Sequence, residues 1–326
     1  MTHRKTRNLY HSKLNYENLY KAWTKISQSG KGYRDTFEFS MFAHARVIKI
    51  LEMLEEGKYR SDRLDCFVIF KPKPRLIMER SVKDKIVDYF VTNEYLIPTI
   101  ERTLIDANVA ARKKMGPDYA MKMLRRYLSQ IIAKNPDSRI YALKIDISKY
   151  FYSIDHRILL EMLKKKIKDK DVIGVMRRLI NETDKTYINK MIDEINEAYH
   201  ENFLHYQSGK GLGADTMLMQ FLAIFYLSDT DRFIKEKLHC KYYIRYMNSL
   251  LILDTDKVRL NEIRQKIIDE LMRAKLLTDF KFGIRDCRSA TGISFLGYRY
   301  NINQKGCIVV KCLSRTARCV RRRSFI

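Results

Sequence analysis

The sequence has few of the features that stabilise small secreted proteins. Its six cysteines form no CxxC pair and have no cluster of histidines nearby, which favours reduced, mostly structural thiols in a cytosolic protein over a disulfide framework. Cys307, Cys312 and Cys319 could start a zinc site, but a fourth ligand at the usual spacing is missing. We therefore expect no zinc site and a cytoplasmic protein.

Long apolar runs and flexible linkers are also missing. No apolar run approaches the length of a membrane span, and no apolar segment follows the basic residues at the N-terminus. These absences argue against a membrane helix and a secretory signal. The chain has only 5 prolines, no internal repeat and no low-complexity linker. One continuous α+β unit is therefore expected rather than separable domains.

Negative charge is scarce relative to positive charge. The 326 residues include 63 lysines and arginines against 38 aspartates and glutamates, a formal net charge of +25. Such a surface favours polyanions, and nucleic acid is the leading candidate because its phosphates release counterions on binding. Aromatic residues often lie beside lysine or arginine, as in residues 241–246, which suits base stacking with phosphate contact. From composition alone, an anionic membrane surface or a merely basic soluble protein stays open.

Apolar periodicity predicts helices and strands throughout the chain. Helices are predicted at residues 16–57, 82–96, 119–132, 156–167, 168–206, 217–238 and 258–274. Strands are predicted at residues 66–70, 76–78, 139–146, 242–247 and 250–253, with a further strand pair and a small hairpin at 292–298. Asn248 and Ser249 are the two-residue link between apolar strands that is typical of a hairpin.

A strand that ends in aspartate, placed beside a hairpin turn, suits phosphoryl transfer to a 3′-hydroxyl. That reaction uses two divalent cations, held by carboxylates, to activate the attacking oxygen and to neutralise the leaving pyrophosphate. Asp146 ends one predicted strand, and the turn at Asn248 and Ser249 lies far along the chain. The order indicates the palm of a polymerase. Without further support, Asp146 is also compatible with an ordinary strand-end or capping residue.

Six motifs, in order, resemble those of bacterial retroelement reverse transcriptases, a family that includes retron, group II intron and diversity-generating enzymes. They are the fingers motif at 70–77, the segment 83–87, the first catalytic motif at 144–156, and the later motifs at 211–220, 243–247 and 292–298. The likeness covers roughly residues 16 to 300. It implies an α+β right-hand polymerase fold, with fingers and palm, in which helices flank an antiparallel palm sheet.

The resemblance also implies a division of the chain. Residues 1–138 are expected to form N-terminal helices and fingers, and 139–156 the first part of the palm. Residues 157–205 are a helical insertion, and 206–300 complete the palm with its catalytic hairpin. The basic residues 301–326 are the start of a thumb that is truncated or absent, because too few residues follow the last motif.

In the palm, the resemblance assigns roles to individual residues. Asp146 is a catalytic metal ligand, and Ile147 lends a backbone carbonyl to the metal and the nucleotide. Phe151 lies under the incoming sugar and excludes a ribose 2′-hydroxyl, with a core phenylalanine as the alternative. Lys281 is a candidate proton donor to pyrophosphate.

Further residues are expected to hold the nucleotide and the template. Lys73 and Arg75 bind the triphosphate, because a guanidinium offers a bidentate fork to phosphate oxygens; a solvated basic turn is the alternative. Gln220 helps to position template and nucleotide. The glycines at 209, 211 and 213 do not match GxxxxGK[ST], which excludes a P-loop. Asp155 precedes a predicted helix, so capping is favoured over a catalytic role.

The catalytic hairpin departs from the family pattern. Relatives carry Tyr-x-Asp-Asp, whereas residues 246–249 read Tyr-Met-Asn-Ser. Asn248 and Ser249 can approach a cation, but neither brings the negative charge that hard divalent ions favour. Since each loss of ~1.36 kcal/mol lowers a rate about tenfold, we expect little or no polymerisation. Asp254 is a candidate substitute carboxylate.

The function implied is that of a reverse transcriptase, an RNA-directed DNA polymerase that moves a nucleotide from dNTP to a primer 3′-hydroxyl with two Mg²⁺ or Mn²⁺ ions, impaired in this chain. The alternative is a catalytically inactive, reverse-transcriptase-derived nucleic-acid-binding protein. Expected partners are an RNA template, a DNA primer or product and dNTP, with a structured RNA or an accessory protein as further candidates and no membrane. A basic scaffold unrelated to polymerases would require the six ordered matches to be accidental. The retroelement class stays open.

Overall fold

The computed structural model describes residues 9–29, 33–70, 73–213, 216–276 and 280–313. Its helices are α1 (Leu9–Lys13), α2 (Tyr16–Ser27), α3 (Tyr33–Ser40), α4 (Ala43–Glu55), α5 (Val82–Val91), α6 (Ile97–Ile100), α7 (Pro117–Lys134), α8 (Tyr150–Ser153), α9 (His156–Lys166), α10 (Lys170–Ile180), α11 (Thr186–Tyr199), α12 (Met217–Tyr226), α13 (Ser228–Arg232) and α14 (Lys257–Arg273). Its strands are β1 (Asp65–Ile69), β2 (Arg75–Glu79), β3 (Tyr141–Ile147), β4 (Tyr242–Tyr246), β5 (Ser249–Asp254), β6 (Phe280–Asp286), β7 (Ile293–Phe295), β8 (Tyr298–Ile302) and β9 (Ile308–Cys312). Within these residues, no helix combines the length and apolarity that crossing a bilayer would require.

Most predicted elements are present, and several boundaries are shifted, including those at the β4–β5 turn and after α11. The hairpin turn consists of Met247 and Asn248, while Ser249 is the first residue of β5. Ser249 joins the sheet because it pairs with Tyr246 across the hairpin and with Asp146 on β3. Met247 takes the left-handed conformation that the turn needs, with φ +53°.

The second of these boundaries lies after α11, where a helix was predicted up to residue 206. The helix ends at Tyr199 because two asparagine side chains on α11 bond the backbone that follows. The Asn189 amide accepts from the Tyr206 N–H and donates to the Tyr206 carbonyl, both at 2.9 Å. Asn196 makes the same pair of bonds to Phe203, at 2.7 and 3.0 Å. These bonds hold the segment extended along the helix.

The chain divides into two compact units. The first comprises Met1–Leu104 and Phe151–Tyr226, and the second comprises Ile105–Tyr150 and Leu227–Ile326. In the first unit, α2 packs on α4 and α5, and α5 also packs on α12. Helix α12 is apolar on all sides and nearly all of its side chains are buried, as expected for a core helix.

The sheet of the first unit is the antiparallel pair β1 and β2. One face of this hairpin packs on α11, where Met78 and Leu64 meet Ile188 and Ile192. The other face carries Phe67 and is largely exposed. The hairpin therefore offers one buried face and one open, partly apolar face.

A buried ion pair joins Arg80, just before α5, to Asp88 within that helix. Arg80 Nε is 3.1 Å from Asp88 Oδ2, and the two side chains are 0% and 3% exposed. Burial raises the pKa of Asp88 to about 6, although the Arg80 guanidinium opposes the shift. The carboxylate is therefore ionised at neutral pH at a cost in free energy.

The pH dependence of the free energy of unfolding should report the raised pKa of Asp88. Because the folded chain holds the Asp88 proton more tightly than the unfolded chain, ionisation of Asp88 lowers the free energy of unfolding as pH rises from about 4 to about 6, by up to about 3 kcal/mol. Asp88→Asn removes this ionisation. Urea unfolding across that range should show the stability of the wild type, relative to Asp88→Asn, falling with pH and levelling off above about pH 7. A relative stability that rises with pH would contradict the assignment.

The second unit is built on a four-stranded antiparallel sheet, in the order β4-β5-β3-β6. Helix α7 packs on one face, where its residues Leu124 and Leu128 meet Ala142, Ile244 and Leu251 of the strands. Helix α14 contacts β3 and β6. The antiparallel strands β7, β8 and β9 form a second sheet of three strands.

A fully buried arginine links the hairpin to the rest of this unit. The Arg245 guanidinium donates two bonds of 2.7 Å to the two oxygens of Asp231, and a third of 2.9 Å to the Met247 carbonyl in the turn. Tyr243 donates to the same carboxylate at 2.6 Å. Arg245 is 0% and Asp231 1% exposed. The pair thus holds the β4–β5 turn in place through the bond from Arg245 to the Met247 carbonyl.

Replacing only one partner should be costly. Arg245→Met leaves Asp231 as an unpaired buried charge, so the free energy of unfolding should fall by about 3–5 kcal/mol in urea titrations. Tyr243→Phe, which removes only one hydrogen bond to the same carboxylate, should cost about 1 kcal/mol. The double variant Arg245→Met with Asp231→Leu should recover much of the loss. Equal stability of Arg245→Met and Tyr243→Phe would sink the idea that the pair stabilises this unit.

Candidate functional site

Asp146 lies near the C-terminal end of β3, an inner strand of the four-stranded sheet of the second unit. It faces Ser249 on β5 and the backbone of Lys281 on β6, because β3 pairs with both strands. Lys144, two residues earlier on the same face of β3, places its Nζ 2.8 Å from Asp146 Oδ2. The two side chains are 33% and 37% exposed. The carboxylate is open to solvent and already has a cationic partner.

Asn248 bonds the end of β3 through both backbone and side chain. Its Nδ2 donates to the Ile147 carbonyl at 2.8 Å, and the Ile147 N–H donates to the Asn248 backbone carbonyl at 3.1 Å. Since a carbonyl can only accept, the Asn248 side chain must turn its nitrogen to Ile147. The carbonyl that was expected to face a metal therefore receives a hydrogen bond.

Ser249 stands beside Asp146 on the neighbouring strand. Its Oγ is buried and has no hydrogen-bond partner within the described parts of the chain. Residues opposite each other on antiparallel strands have Cβ atoms about 5 Å apart. An aspartate at 249 would therefore bring a second carboxylate close to Asp146, whereas the serine leaves the site neutral there.

The donors present do not fit a pair of divalent cations. Asp146 is the one carboxylate among the proposed ligands Asp146, Ile147 and Asn248, and it pairs with Lys144. Magnesium requires several oxygen ligands in near-octahedral geometry, which carboxylates usually anchor. In the ranges that the structure describes, no group of three or more His, Cys, Asp or Glu residues is placed to hold a metal ion. The side chain of Lys281 lies outside the described residues.

The expectation that Asp254 substitutes for a lost carboxylate is wrong. Asp254 pairs with Tyr141, whereas Ser249 pairs with Asp146, so the two aspartates are five residues apart along the ladder. That separation is about 17 Å at the rise of an antiparallel strand. Asp254 instead forms an ion pair with Arg259 at the opposite end of the sheet.

A basic cleft of about 610 Å³ opens beside Asp146 within the second unit. Three cationic side chains line it, Lys144, Arg285 and Arg299, against the single carboxylate of Asp146. The Nε of Arg299 is buried without a hydrogen-bond partner among the described residues. This excess of donors and positive charge suits an oxyanion such as a backbone phosphate.

The two arginines of this cleft were missed by the sequence interpretation. The available signal was a basic residue in each of two short strands, β6 and β8. Arg285 pairs with Ala142 in one sheet, and Arg299 pairs with Ser294 in the other. Only the pairing of strands far apart in sequence shows that both arginines share a cleft with Asp146.

The other nucleotide-binding candidates belong to the first unit. Lys73 and Arg75 are exposed, and Arg75 begins β2 opposite Ile69. Phe151 in α8 and Gln220 in α12 are half-buried. Their roles toward a nucleotide stay predictions.

The glycine segment of the first unit is attached to the start of α9. Gly211 N–H donates to the Ile154 carbonyl at 2.8 Å, and its own carbonyl contacts His156 Nε2 at 2.7 Å. Gly211 has φ +96°, and a Cβ there would lie 2.4 Å from the Tyr206 ring. Both the backbone conformation and the packing against Tyr206 therefore require glycine at position 211. Asp155 caps α9 by accepting from the Ile158 N–H at 3.0 Å, which confirms the capping prediction.

Restoring aspartate at both hairpin positions should destabilise the metal-free protein. Asn248→Asp removes the donor to the Ile147 carbonyl, and Ser249→Asp places a second carboxylate beside Asp146. We expect the double variant to lose about 1–3 kcal/mol and to melt at a lower temperature in a chelator. Ser249→Asn, which has the size of aspartate without its charge, is the matched control. An unchanged or higher melting temperature for the double variant would count against this account.

Comparison with known proteins shows a likeness of fold. No protein-family model and no curated protein matches the sequence. Apo telomerase from Candida tropicalis, truncated from its C-terminal domain, matches with a TM-score of 0.50 and 12% identity over 82% of this chain and 60% of that chain. Telomerase from Candida albicans, in complex with a fragment of telomeric RNA, matches with a TM-score of 0.51 and 12% identity over 80% of this chain and 48% of that one.

The chain therefore spans between about half and three-fifths of the length of these telomerases. At 12% identity the match concerns the fold alone. The mixed helices and antiparallel sheets of this chain resemble the fold of these two telomerase structures.

Proposed function

We propose that this chain is a nucleic-acid-binding protein, derived from a retroelement reverse transcriptase, that no longer carries out two-metal nucleotidyl transfer. The hydrogen bond of 2.8 Å from Asn248 Nδ2 to the Ile147 carbonyl carries this proposal. In a palm that binds cations, both positions would offer oxygen to the metal. Here the Asn248 side chain donates a hydrogen bond and the Ile147 carbonyl accepts it, so each group satisfies the other.

The ion pair of Lys144 with Asp146 acts in the same direction. Its ammonium lies 2.8 Å from the carboxylate and supplies positive charge where a cation would bind. A divalent ion at Asp146 would have to displace this ammonium or bind against its electrostatic repulsion. Since no second carboxylate is present at 248 or 249, little charge is available to compensate for the dehydration of such an ion.

Binding of nucleic acid is supported by charge and by the cleft beside Asp146. The chain carries a net charge of +25, and Lys144, Arg285 and Arg299 converge on that cleft. The guanidinium groups would bind backbone phosphates in a bidentate manner and fix the position of a strand across the sheet. One telomerase with a similar fold is in complex with a fragment of telomeric RNA, which favours RNA as one strand. We propose an RNA template paired with a DNA primer or product.

A polymerase with residual activity is the competing function. Lys73 and Arg75 are exposed cations that would hold the triphosphate of a dNTP, and Phe151 would select its sugar, as the family resemblance implies. This function needs metal-dependent primer extension by the wild-type chain. Binding without extension separates it from the proposed function.

The test measures binding and extension on the same RNA–DNA primer–template. We expect the full chain to bind in fluorescence anisotropy and to yield no extended primer with dNTP and Mg²⁺ or Mn²⁺. Arg285→Gln with Arg299→Gln should weaken binding about tenfold or more and reduce the slope of log affinity against log salt by about 0.9 for each phosphate that the variant no longer neutralises. Arg34→Gln with Arg273→Gln is the charge-matched control, because both side chains are largely exposed and neither lines the cleft.

Two outcomes would overturn the proposal. Robust extension by the wild-type chain would show that the hairpin still supports nucleotidyl transfer. An equal loss of affinity in the double control, Arg34→Gln with Arg273→Gln, and in the cleft variant would show that binding depends on total charge and not on this cleft.

A further inference from the structure

The first unit contains a cavity that the proposed function does not use. It has a volume of about 510 Å³, in the range of small-ligand pockets. Its walls come from the open face of the β1–β2 hairpin, the end of α2, one side of α5 and the start of α12. Most of the lining is apolar, with Phe67, Ile77, Tyr89 and Met217 among the lining residues. Flat rings and aliphatic side chains of this kind suit the faces of a nucleobase.

The buried pair Arg80 and Asp88 also lines this cavity. Arg80 Nε and Nη1 and both oxygens of Asp88 have no hydrogen-bond partner within the described residues. Arg80 Nη2 makes one long bond, of 3.4 Å, to the Leu179 carbonyl. Thr216 lies close enough to help lower the pKa of Asp88, but neither carboxylate oxygen has a bond of good geometry. Buried charges without such bonds are costly, so a ligand that completes them is favoured.

Another buried pair among the described residues, Arg245 and Asp231, has a different geometry. Arg245 and Asp231 are equally buried, yet two hydrogen bonds of 2.7 Å join them and Tyr243 adds a third. Arg80 and Asp88 approach to 3.1 Å without meeting hydrogen-bond geometry. Arg80 and Asp88 therefore keep buried polar atoms without hydrogen bonds among the described residues, and both residues line the cavity.

We propose that this cavity binds a guanine base, read by Arg80 and Asp88. The pairing edge of guanine presents one acceptor, O6, followed by two donors, N1–H and the N2 amine. Asp88 offers two acceptor oxygens to the two donors, and Arg80 Nη1 offers a donor to O6. Adenine, cytosine and uracil each present a single donor group on that edge, so each leaves at least one Asp88 oxygen unsatisfied.

The guanine can belong to a free nucleotide or to an unpaired position of a single strand. The chemistry of the base contact is the same in both cases. All the residues that line this cavity belong to the first unit, whereas the cleft beside Asp146 belongs to the second. Guanine binding therefore does not require the proposed function of that cleft.

Calorimetric titration of the full chain near pH 7.5, where Asp88 is ionised, tests the proposal with GMP, AMP, CMP and UMP. We expect GMP to bind about tenfold or more tightly than each of the others. IMP, which lacks only the N2 amine, should bind several-fold more weakly than GMP. Equal affinity for GMP and IMP, or no binding of GMP, would overturn the proposal without any change to the protein.

Asp88→Asn gives a change of specificity that a merely structural role would not produce. The asparagine amide can donate to the O2 of xanthine, which stands where guanine has its amine. The variant should therefore lose affinity for GMP and gain affinity for XMP, with circular dichroism confirming its fold. Asp171→Asn, an exposed carboxylate on α10 of the same unit, is the charge-matched control and should leave both affinities unchanged. A loss of affinity for GMP and XMP alike in folded Asp88→Asn would contradict the assigned contacts.

Two further measurements identify the source of the base and distinguish guanine binding from nucleic-acid binding at the cleft beside Asp146. Single-stranded oligonucleotides with one guanine, compared with the same strands carrying hypoxanthine, should show the IMP effect if the base belongs to a strand. If GMP alone shows it, the ligand is a free nucleotide. Arg285→Gln should leave the preference for GMP over AMP, CMP and UMP unchanged, because all four carry the same phosphate, so failure of duplex binding and failure of guanine binding are distinguishable.

Discussion

The bond network of Arg245 is the interaction on which the candidate site depends. Its guanidinium joins the buried Asp231 carboxylate to the Met247 carbonyl of the hairpin turn. Its backbone continues the network, because the Arg245 N–H donates to the Ala107 carbonyl and its carbonyl accepts from Val109. The turn, in which Met247 has a positive φ, is thus supported by a charged pair that is buried away from water. The geometry at Asp146 follows from that support.

The hairpin keeps its geometry while losing the charges expected of it. In a metal site, carboxylates repel one another until a cation is bound, and the fold must bear that cost. Asn248 and Ser249 remove the cost, and the Asn248 amide adds a bond to the Ile147 carbonyl. The same two residues therefore favour a sheet that is stable without a bound metal ion.

Two arginine–aspartate pairs show how burial alone fails to predict a role. The pair of Arg245 and Asp231 is closely hydrogen-bonded and stabilises the second unit. The pair of Arg80 and Asp88 is equally buried but leaves four polar atoms beside a cavity without partners among the described residues. In a low-dielectric interior, such atoms stabilise a ligand that completes them more than they stabilise the fold. The difference lies in geometry and not in residue type.

Local sequence patterns predicted most helices and strands, and the residue list alone gives the excess of positive charge and the absence of aspartate at 248 and 249, because each of these is local or additive. Periodicity also indicated that Asp146 ends a strand. Only the tertiary structure decided that Ser249 belongs to β5 beside Asp146, that Asp254 lies at the far end of the ladder, and that Arg285 and Arg299 share one cleft. Pairing between strands about a hundred residues apart, and the partners of buried side chains, depend on packing of the whole unit, which no local pattern contains.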